Sequence, residues 1–316
     1  MVQVAQCGVC FHDVVVRNGT LKAGITMPLI LGHEVAGTIV ATGPEVRDVS
    51  AGDRVATTQR AHVCGRCRYC RSGREPLCAE SVFLGDTELN GGYAEYVAVD
   101  ADAVVPVPDG VGFREASIAS CAIGTAYHAV AVGQVAPADT VLITGASGGV
   151  GLHAVQIARA AGATVIATST SPERAAVLRE AGARHVVLHA RGEDFSGKMR
   201  DLTDGGGVEV AIDTVGTPVF QAVRHSLARG GRWVMVGQLT GDFVPFNPAQ
   251  LFLKGISMLS ATSVTREELR RCLRLLAQGT IRAMLDESFP LSAAAEAHRR
   301  LEAGATSGRL TLVPGA

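Results

Sequence analysis

The stretch TVLITGASGGVGLHAVQIARAAGATVIATS, residues 140–169, constrains this chain more than any other. Val141, Leu142 and Ile143 form the short apolar run of a buried strand. A glycine turn follows through Gly145, Ala146, Ser147, Gly148, Gly149, Val150 and Gly151. From Leu152 to Ala161 the apolar residues recur at three-and-four spacing, the helical period, and Gly162 stops it. Thr164–Thr168 is a second strand. Strand, turn, helix and strand make a βαβ unit, which implies parallel strands joined by a crossover helix. In that setting the turn reads as a dinucleotide cradle. Gly148 lets backbone approach a pyrophosphate, Gly151 lets the helix pack against the strand, and the helix N-terminus receives the anion. Ala146 stands where the G-x-G-x-x-G fingerprint has its first glycine. The plainer alternative is a glycine turn without a ligand.

The end of the second strand bears on which dinucleotide. NAD-binding units usually put a carboxylate there for the ribose 2′-OH. Here Ser169, Thr170, Ser171, Pro172, Glu173 and Arg174 follow one another. Hydroxyls at Ser169 and Thr170 with the guanidinium of Arg174 suit a 2′-phosphate, so NADP(H) is favoured over NAD(H). Alternatively, Arg174 is a solvated residue of the next helix.

Further strand runs at 185–188, 209–214, 230–236 and 255–259 extend the parallel sheet. Residues 1–118 read differently. Short Val-rich runs, VVVRNG, HEVAGTIVATG, GDRVAT and YAEYVAVD, are broken by Gly, Pro and Asp, the pattern of an irregular antiparallel barrel. A helix over Arg266–Gln278 carries Leu269, Leu273 and Leu276 on one face, with Cys272 beside them as a core thiol.

Four of the eight cysteines lie in CGRCRYCRSGREPLC, at Cys64, Cys67, Cys70 and Cys78. No apolar periodicity runs through this segment, which reads as a loop. Four thiolates close a tetrahedral shell around Zn²⁺, with Arg66, Arg68, Arg71 and Arg74 offsetting their charge. An iron–sulfur cluster and free thiols are the alternatives. Such a closed shell shapes a lobe and does no chemistry. The chain opens MVQVAQCGVC without a basic, apolar leader, so a cytoplasmic setting is expected, where cysteines serve as ligands or free thiols more than as disulfides. A net charge of −1 argues against nucleic acid as a partner. No run of eighteen apolar residues suggests a membrane span.

Cys10, His33 and Cys121 each lie in short apolar or glycine-bounded stretches. Two thiolates and an imidazole make a catalytic zinc shell with a fourth position for water or substrate. These three are too far apart for spacing to join them, and packing explains each one singly.

Four motifs in order, CGVCFHD, GHEVAG, the four-cysteine segment and SIASCAIGT, make the chain resemble the zinc-containing medium-chain alcohol dehydrogenase family over almost its full length. The resemblance implies a Rossmann-type doubly wound parallel sheet plus a GroES-like antiparallel β-barrel catalytic domain. It implies a catalytic domain at 1–118 with the metal lobe at 64–78, a dinucleotide domain at 119–264, and a return segment at 265–316 completing the first. The family's barrel begins some tens of residues earlier, so either the start of this sequence is set late or the chain lacks the barrel's first strands, which would leave a pairing-prone edge. The resemblance further implies a catalytic zinc on Cys10, His33 and Cys121, a structural zinc on the four cysteines, and Glu34 close to the first metal. Asp13 orients a ligand or His12. Thr125 reaches the nicotinamide or ribose side, and Arg309 touches a cofactor phosphate or is an ordinary surface charge. Many relatives place Ser or Thr where this chain has His12, and that hydroxyl removes the alcohol proton. His12 then relays the proton, or it points away and water does so.

The activity implied is hydride transfer between NADP(H) or NAD(H) and an alcohol, aldehyde or ketone, by a homodimer or homotetramer acting on a small molecule. The stretch GASGGVGLHAVQIARAAGA and the aromatic–basic–Asp run after CGVC also resemble archaeal acryloyl-CoA reductases of the same superfamily. Reduction of a conjugated double bond is therefore the alternative. A non-catalytic NADPH-binding redox sensor or structural protein is the alternative from another class.

Overall fold

The computed structural model describes residues 1–20, 25–87 and 89–315. In chain order its strands are β1 (Val2–Val9), β2 (Val35–Ile39), β3 (Arg54–Thr57), β4 (Arg60–His62), β5 (Val82–Phe83), β6 (Tyr96–Val97), β7 (Val104–Pro106), β8 (Thr140–Ile143), β9 (Thr164–Ser169), β10 (His185–Leu188), β11 (Val208–Asp213), β12 (Leu227–Met235), β13 (Ser257–Ser260), β14 (Leu285–Pro290) and β15 (Arg309–Val313). They fall into two compact units, Met1–Gly124 with Ser263–Ala316, and Thr125–Thr262. The first joint lies a few residues beyond the expected 118/119, because the turn Ala119–Ile123 packs on helix Phe113–Ser117 and helix Arg266–Ala277 of the first unit.

The first unit is built on a sheet ordered β14-β15-β1-β2-β3-β7, with β6 also pairing β1. All its pairings are antiparallel except β14 with β15. In β1, Val2, Val4, Cys7 and Val9 are buried, and Cys7 and Val9 face Leu312 and Leu310 of β15. Strands from both ends of the chain thus share one core. The outer strands of the described sheet are β14 and β7.

VVVRNG is not a strand. Val14–Val16 lie in helix Phe11–Arg17. The Asp13 carboxylate accepts the Cys10 N–H at 2.8 Å, as in a capping box, and Val14 and Val16 are buried on the helix. Capping and burial outweigh the strand preference of valine. The four-cysteine segment holds one helical turn, Arg68–Arg71, and a 3₁₀ turn, Glu75–Leu77. Cys67 caps the first by accepting the Cys70 N–H.

The second unit is a parallel sheet ordered β10-β9-β8-β11-β12-β13. The order reverses direction beside β8, the place where open α/β sheets bind ligands at strand C-termini. Leu142, Ile166, Phe195, Met199, Phe220 and Trp233 fill the core on one of its sides. Among the described residues, no helix is long and apolar enough to cross a membrane.

Candidate active site and metal centres

Cys10, His33, Glu34 and Cys121 converge within the first unit. Cys10 directly follows β1 as the N-cap of helix Phe11–Arg17, and His33 and Glu34 immediately precede β2. The Gly8 N–H donates to the Glu34 carbonyl at 2.8 Å, tying the two strand ends together. A Cβ on Gly8 would collide with the Glu34 side chain, so glycine is required at this approach. Cys121 comes from a π-helical turn, Ala119–Ile123, buried throughout. Such turns recur at functional sites because the extra residue re-aims side chains.

All four residues are buried, and one ligand atom from each lies within 4.8 Å of the others. The Cys10 and Cys121 sulfurs are 3.8 Å apart. That is too far for a disulfide and matches two thiolates about 2.3 Å from one tetrahedral zinc, which stand roughly 3.8 Å apart. Nε2 of His33 is buried with no hydrogen-bond partner among the described residues, as a ligand nitrogen requires. The donor set fits zinc.

The surrounding charges act on the members of this set in opposite directions. The hydrogen bond with Cys121 draws the Cys10 thiol well below its ordinary range, aided against burial by Arg309 and His33. The same hydrogen bond and burial push Cys121 up. Burial raises Glu34 to about 7, with Arg309 opposing. Burial alone would lower His33, but the charge of Asp13 and its hydrogen bond raise it.

Arg309, expected at a cofactor phosphate or on the surface, is 5% exposed in β15. Its Nη2 stands 2.9 Å from Glu34 Oε1 and donates to Cys121 Sγ at 3.5 Å. Asp13 is fully buried and meets His33 Nδ1 at 3.2 Å through Oδ1, so it addresses the ligand and not His12. His12 turns instead to Asp86, with Nε2 3.1 Å from Oδ2. Its ring lies 5.0 Å from Phe83 and 5.2 Å edge-on from His33. The hydrogen bond to His12 holds the Asp86 carboxyl below its usual range.

The second cluster is Cys64, Cys67, Cys70 and Cys78. Cys70 Sγ lies 4.0 Å from Cys64 Sγ and 3.6 Å from Cys67 Sγ. The Cys64, Cys67 and Cys70 N–H groups donate to sulfurs of Cys78, Cys64 and Cys67 at 3.4 to 3.5 Å. These bonds spread thiolate charge into the backbone, and the Cys70 N–H draws Cys67 down to about 7. Of the arginines between the thiols, Arg66 pairs with Glu80 at 2.9 Å, and Arg68 and Arg74 lie over Tyr69.

In the second unit the glycine turn follows β8 and leads into helix Gly149–Ala160, with Gly148 as its N-cap. Gly145 has φ +57°, and a Cβ there would strike Thr214. A Cβ on Gly151 would strike the Gly145 carbonyl and Ala146 backbone, so the turn closes only on glycine. Ala146 and Ser147 are buried, and Arg174 donates to Ser147 Oγ at 3.3 Å. Ser169 Oγ accepts the Ser171 N–H at 3.1 Å, shaping the turn after β9, and Thr170 is exposed. Thr125 is buried near the start of helix Gly124–Val132.

Sequence reasoning passed over Asp213. Its buried carboxylate accepts Thr144 Oγ1 at 2.6 Å and the Val215 and Gly216 N–H groups at 3.0 and 3.1 Å, anchoring the segment after β11. It also passed over Asp86, Tyr93 and His298. Each is an isolated polar residue whose partner lies 74 to 281 positions away, so no local pattern marks it.

Comparison with known proteins agrees with this geometry. Residues 1–109 match the family model of the alcohol dehydrogenase GroES-like domain, and residues 149–278 match that of zinc-binding dehydrogenases. An alcohol dehydrogenase of Geobacillus stearothermophilus is 34% identical over 99% of this chain and 91% of its own length. An acryloyl-coenzyme A reductase of Metallosphaera sedula is 34% identical over 90% of this chain and 83% of its own. The crystal structure of AibC superposes with a TM-score of 0.92 at 44% identity, covering 99% of this chain and 87% of that one.

Proposed function

The chain belongs to the zinc-binding, alcohol-dehydrogenase-like family of NAD(P)(H)-dependent oxidoreductases, and we propose that it reduces the conjugated double bond of an acyl thioester with NADPH. Position 12 carries this reading. Where alcohol-oxidising relatives resemble one another in a Ser or Thr that removes the alcohol proton, this chain has an imidazole engaged by Asp86. Reduction of a double bond needs no such hydroxyl. A dinucleotide held at the Gly145–Gly151 turn would supply the hydride that the β carbon takes, and a proton from solvent would add at the α carbon. The relative named acryloyl-coenzyme A reductase supports the substrate class.

The chain's own residues divide the work. Gly145, Gly148 and Gly151 keep the turn open to a pyrophosphate. Ser147, Ser169, Thr170 and Arg174 favour a 2′-phosphate, hence NADP(H). Asp86 holds the His12 imidazole in place through the 3.1 Å contact with its Nε2. Cys10, His33 and Cys121 would hold the zinc of this site, which when bound supplies a Lewis acid for a carbonyl oxygen. The four cysteines would hold a second zinc that shapes their lobe. A homodimer or homotetramer belongs to the same reading, since β13 is an outer strand of its sheet.

Reversible alcohol–carbonyl transfer is the second reading. The three-donor set supports it, because Glu34 is engaged by Arg309 and a three-ligand shell leaves one position for substrate. The test is NADPH oxidation with acryloyl-CoA and with a panel of small aldehydes. A kcat/KM for the thioester roughly a hundredfold or more above the best aldehyde, about 2.7 kcal/mol of transition-state preference, is expected. The reverse ranking overturns the proposal in favour of carbonyl reduction. Turnover of neither, with NADPH still bound, assigns a non-catalytic NADPH-binding role.

A further inference from the structure

We propose that Tyr93 and His298 are positioning residues for His33: a one-way chain of donors, Arg17 to His298 to Tyr93 to Asp13, holds the His33 imidazole with its proton on Nδ1 and its lone pair on Nε2. The chain of contacts is continuous in the first unit. Arg17 Nη1 lies 3.2 Å from His298 Nδ1. His298 Nε2 lies 3.1 Å from the Tyr93 hydroxyl. That hydroxyl donates to Asp13 Oδ2 at 3.2 Å. Asp13 Oδ1 meets His33 Nδ1 at 3.2 Å.

Donor and acceptor capacities fix its direction. A guanidinium only donates, so His298 Nδ1 is the acceptor and the proton of the neutral ring sits on Nε2. That N–H donates to the Tyr93 oxygen, which directs its own hydrogen to Asp13. The Asp13 carboxylate only accepts. Its Oδ2 takes the Tyr93 O–H and the Cys10 N–H, and its Oδ1 takes the His33 N–H. His33 is thereby left with a bare Nε2, the atom that has no hydrogen-bond partner among the described residues.

Burial makes the arrangement costly to lose. Asp13 is fully buried, His298 is 3% exposed, and Tyr93 packs against the cluster of Val9, Ala297, Leu310 and Leu312. A Phe at 93 would fill the same space, so packing does not account for a buried hydroxyl with two polar partners. Burial and the Asp13 charge keep the phenol protonated and able to donate. At the far end Arg17 Nη2 also holds Glu302 at 2.6 Å, which fixes the guanidinium between helices Phe11–Arg17 and Ala294–Glu302. Groups that orient a ligating imidazole typically alter metal affinity by about 10–100-fold when removed. Here the orienting group is itself oriented from two residues beyond.

The test uses the zinc-loaded full chain and no substrate, so its outcome is independent of the double-bond reading. Metal release into excess chromogenic chelator is followed for Tyr93→Phe, His298→Leu and His298→Gln. Release from the four-cysteine lobe serves as internal control, and the cobalt-substituted visible spectrum reports ligand geometry. Expected are roughly tenfold faster release from the Cys10–His33–Cys121 site in Tyr93→Phe and His298→Leu, with altered cobalt bands and an unchanged lobe. His298→Gln, whose amide accepts from Arg17 and donates to Tyr93, should return within about twofold of the parent rate. Parent-like rates and spectra in Tyr93→Phe and His298→Leu overturn the proposal. So does a His298→Gln variant as fast as His298→Leu, which assigns the effect to packing.

Discussion

Arg309→Met leaves the buried Glu34 carboxylate without the guanidinium that stands 2.9 Å from it. At an effective dielectric constant of about 20, unit charges that close attract by about 6 kcal/mol. Much of this offsets the cost of stripping water from both groups. Breaking one side of a buried pair therefore costs about 3–5 kcal/mol. Glu34 recovers part of the loss by taking a proton. Burial already raises it to about 7 while Arg309 opposes, so removing Arg309 pushes it further up. Arg309→Met/Glu34→Gln removes charge and counter-charge together and should return to within about 1–2 kcal/mol of the parent. The assay is hydrogen exchange at the β1 and β15 amides of the zinc-loaded protein, because Trp233, the single tryptophan, reports on the second unit. A single variant that costs less than about 1 kcal/mol, or a double variant that costs the sum of its parts, would refute the reasoning.

Gly151→Val places side-chain atoms against the Gly145 carbonyl. It should weaken NADPH binding roughly tenfold or more, and a titration followed by nicotinamide fluorescence that matches the parent would rule this out. Cys70→Ser opens the lobe at 64–78. Metal analysis should show one zinc fewer per chain, with faster tryptic cleavage at Arg66, Arg68 or Arg71, while retention of both zincs would count against the assignment. Burial lowers the His298 pKa, with Asp13 opposing and Arg17 assisting, so the native ring favours its neutral form. The corresponding stability is complete above the free-histidine value of about 6.5. It is lost as pH falls from there through the lowered native value, because the unfolded chain takes the proton first. The exchange-derived stability difference between parent and His298→Gln should shift across that interval, and a pH-independent difference would disprove it.

What was legible in the sequence follows the distance between partners. The glycine turn and the four cysteines carry their geometry within a few residues, and the backbone N–H groups that support them are local too. Cys10, His33 and Cys121 were legible only through resemblance, because their meeting depends on β1 pairing β2 and on a buried π turn that no periodicity announces. VVVRNG misled because three valines favour a strand, whereas Asp13 caps a helix and burial holds it. Arg309 was expected at a cofactor phosphate or as an ordinary surface charge, whereas it lies against Glu34 and Cys121. Its role depends on β15 lying beside β1, a pairing between residues some three hundred positions apart.

That pairing orders events during synthesis. The second unit is one uninterrupted segment, Thr125–Thr262, and can close as soon as it leaves the ribosome. The first cannot, since β15 and the counter-charge for Glu34 arrive with the final 54 residues, Ser263–Ala316. At about 5–20 residues per second, that is a wait of roughly 3–11 s. During it the cysteine ligands are already made, while the sheet that buries them is missing a strand. Metal capture at Cys10, His33 and Cys121 would thus be a late step, and premature termination between Thr262 and Arg309 would leave a complete second unit attached to an unfinished first one.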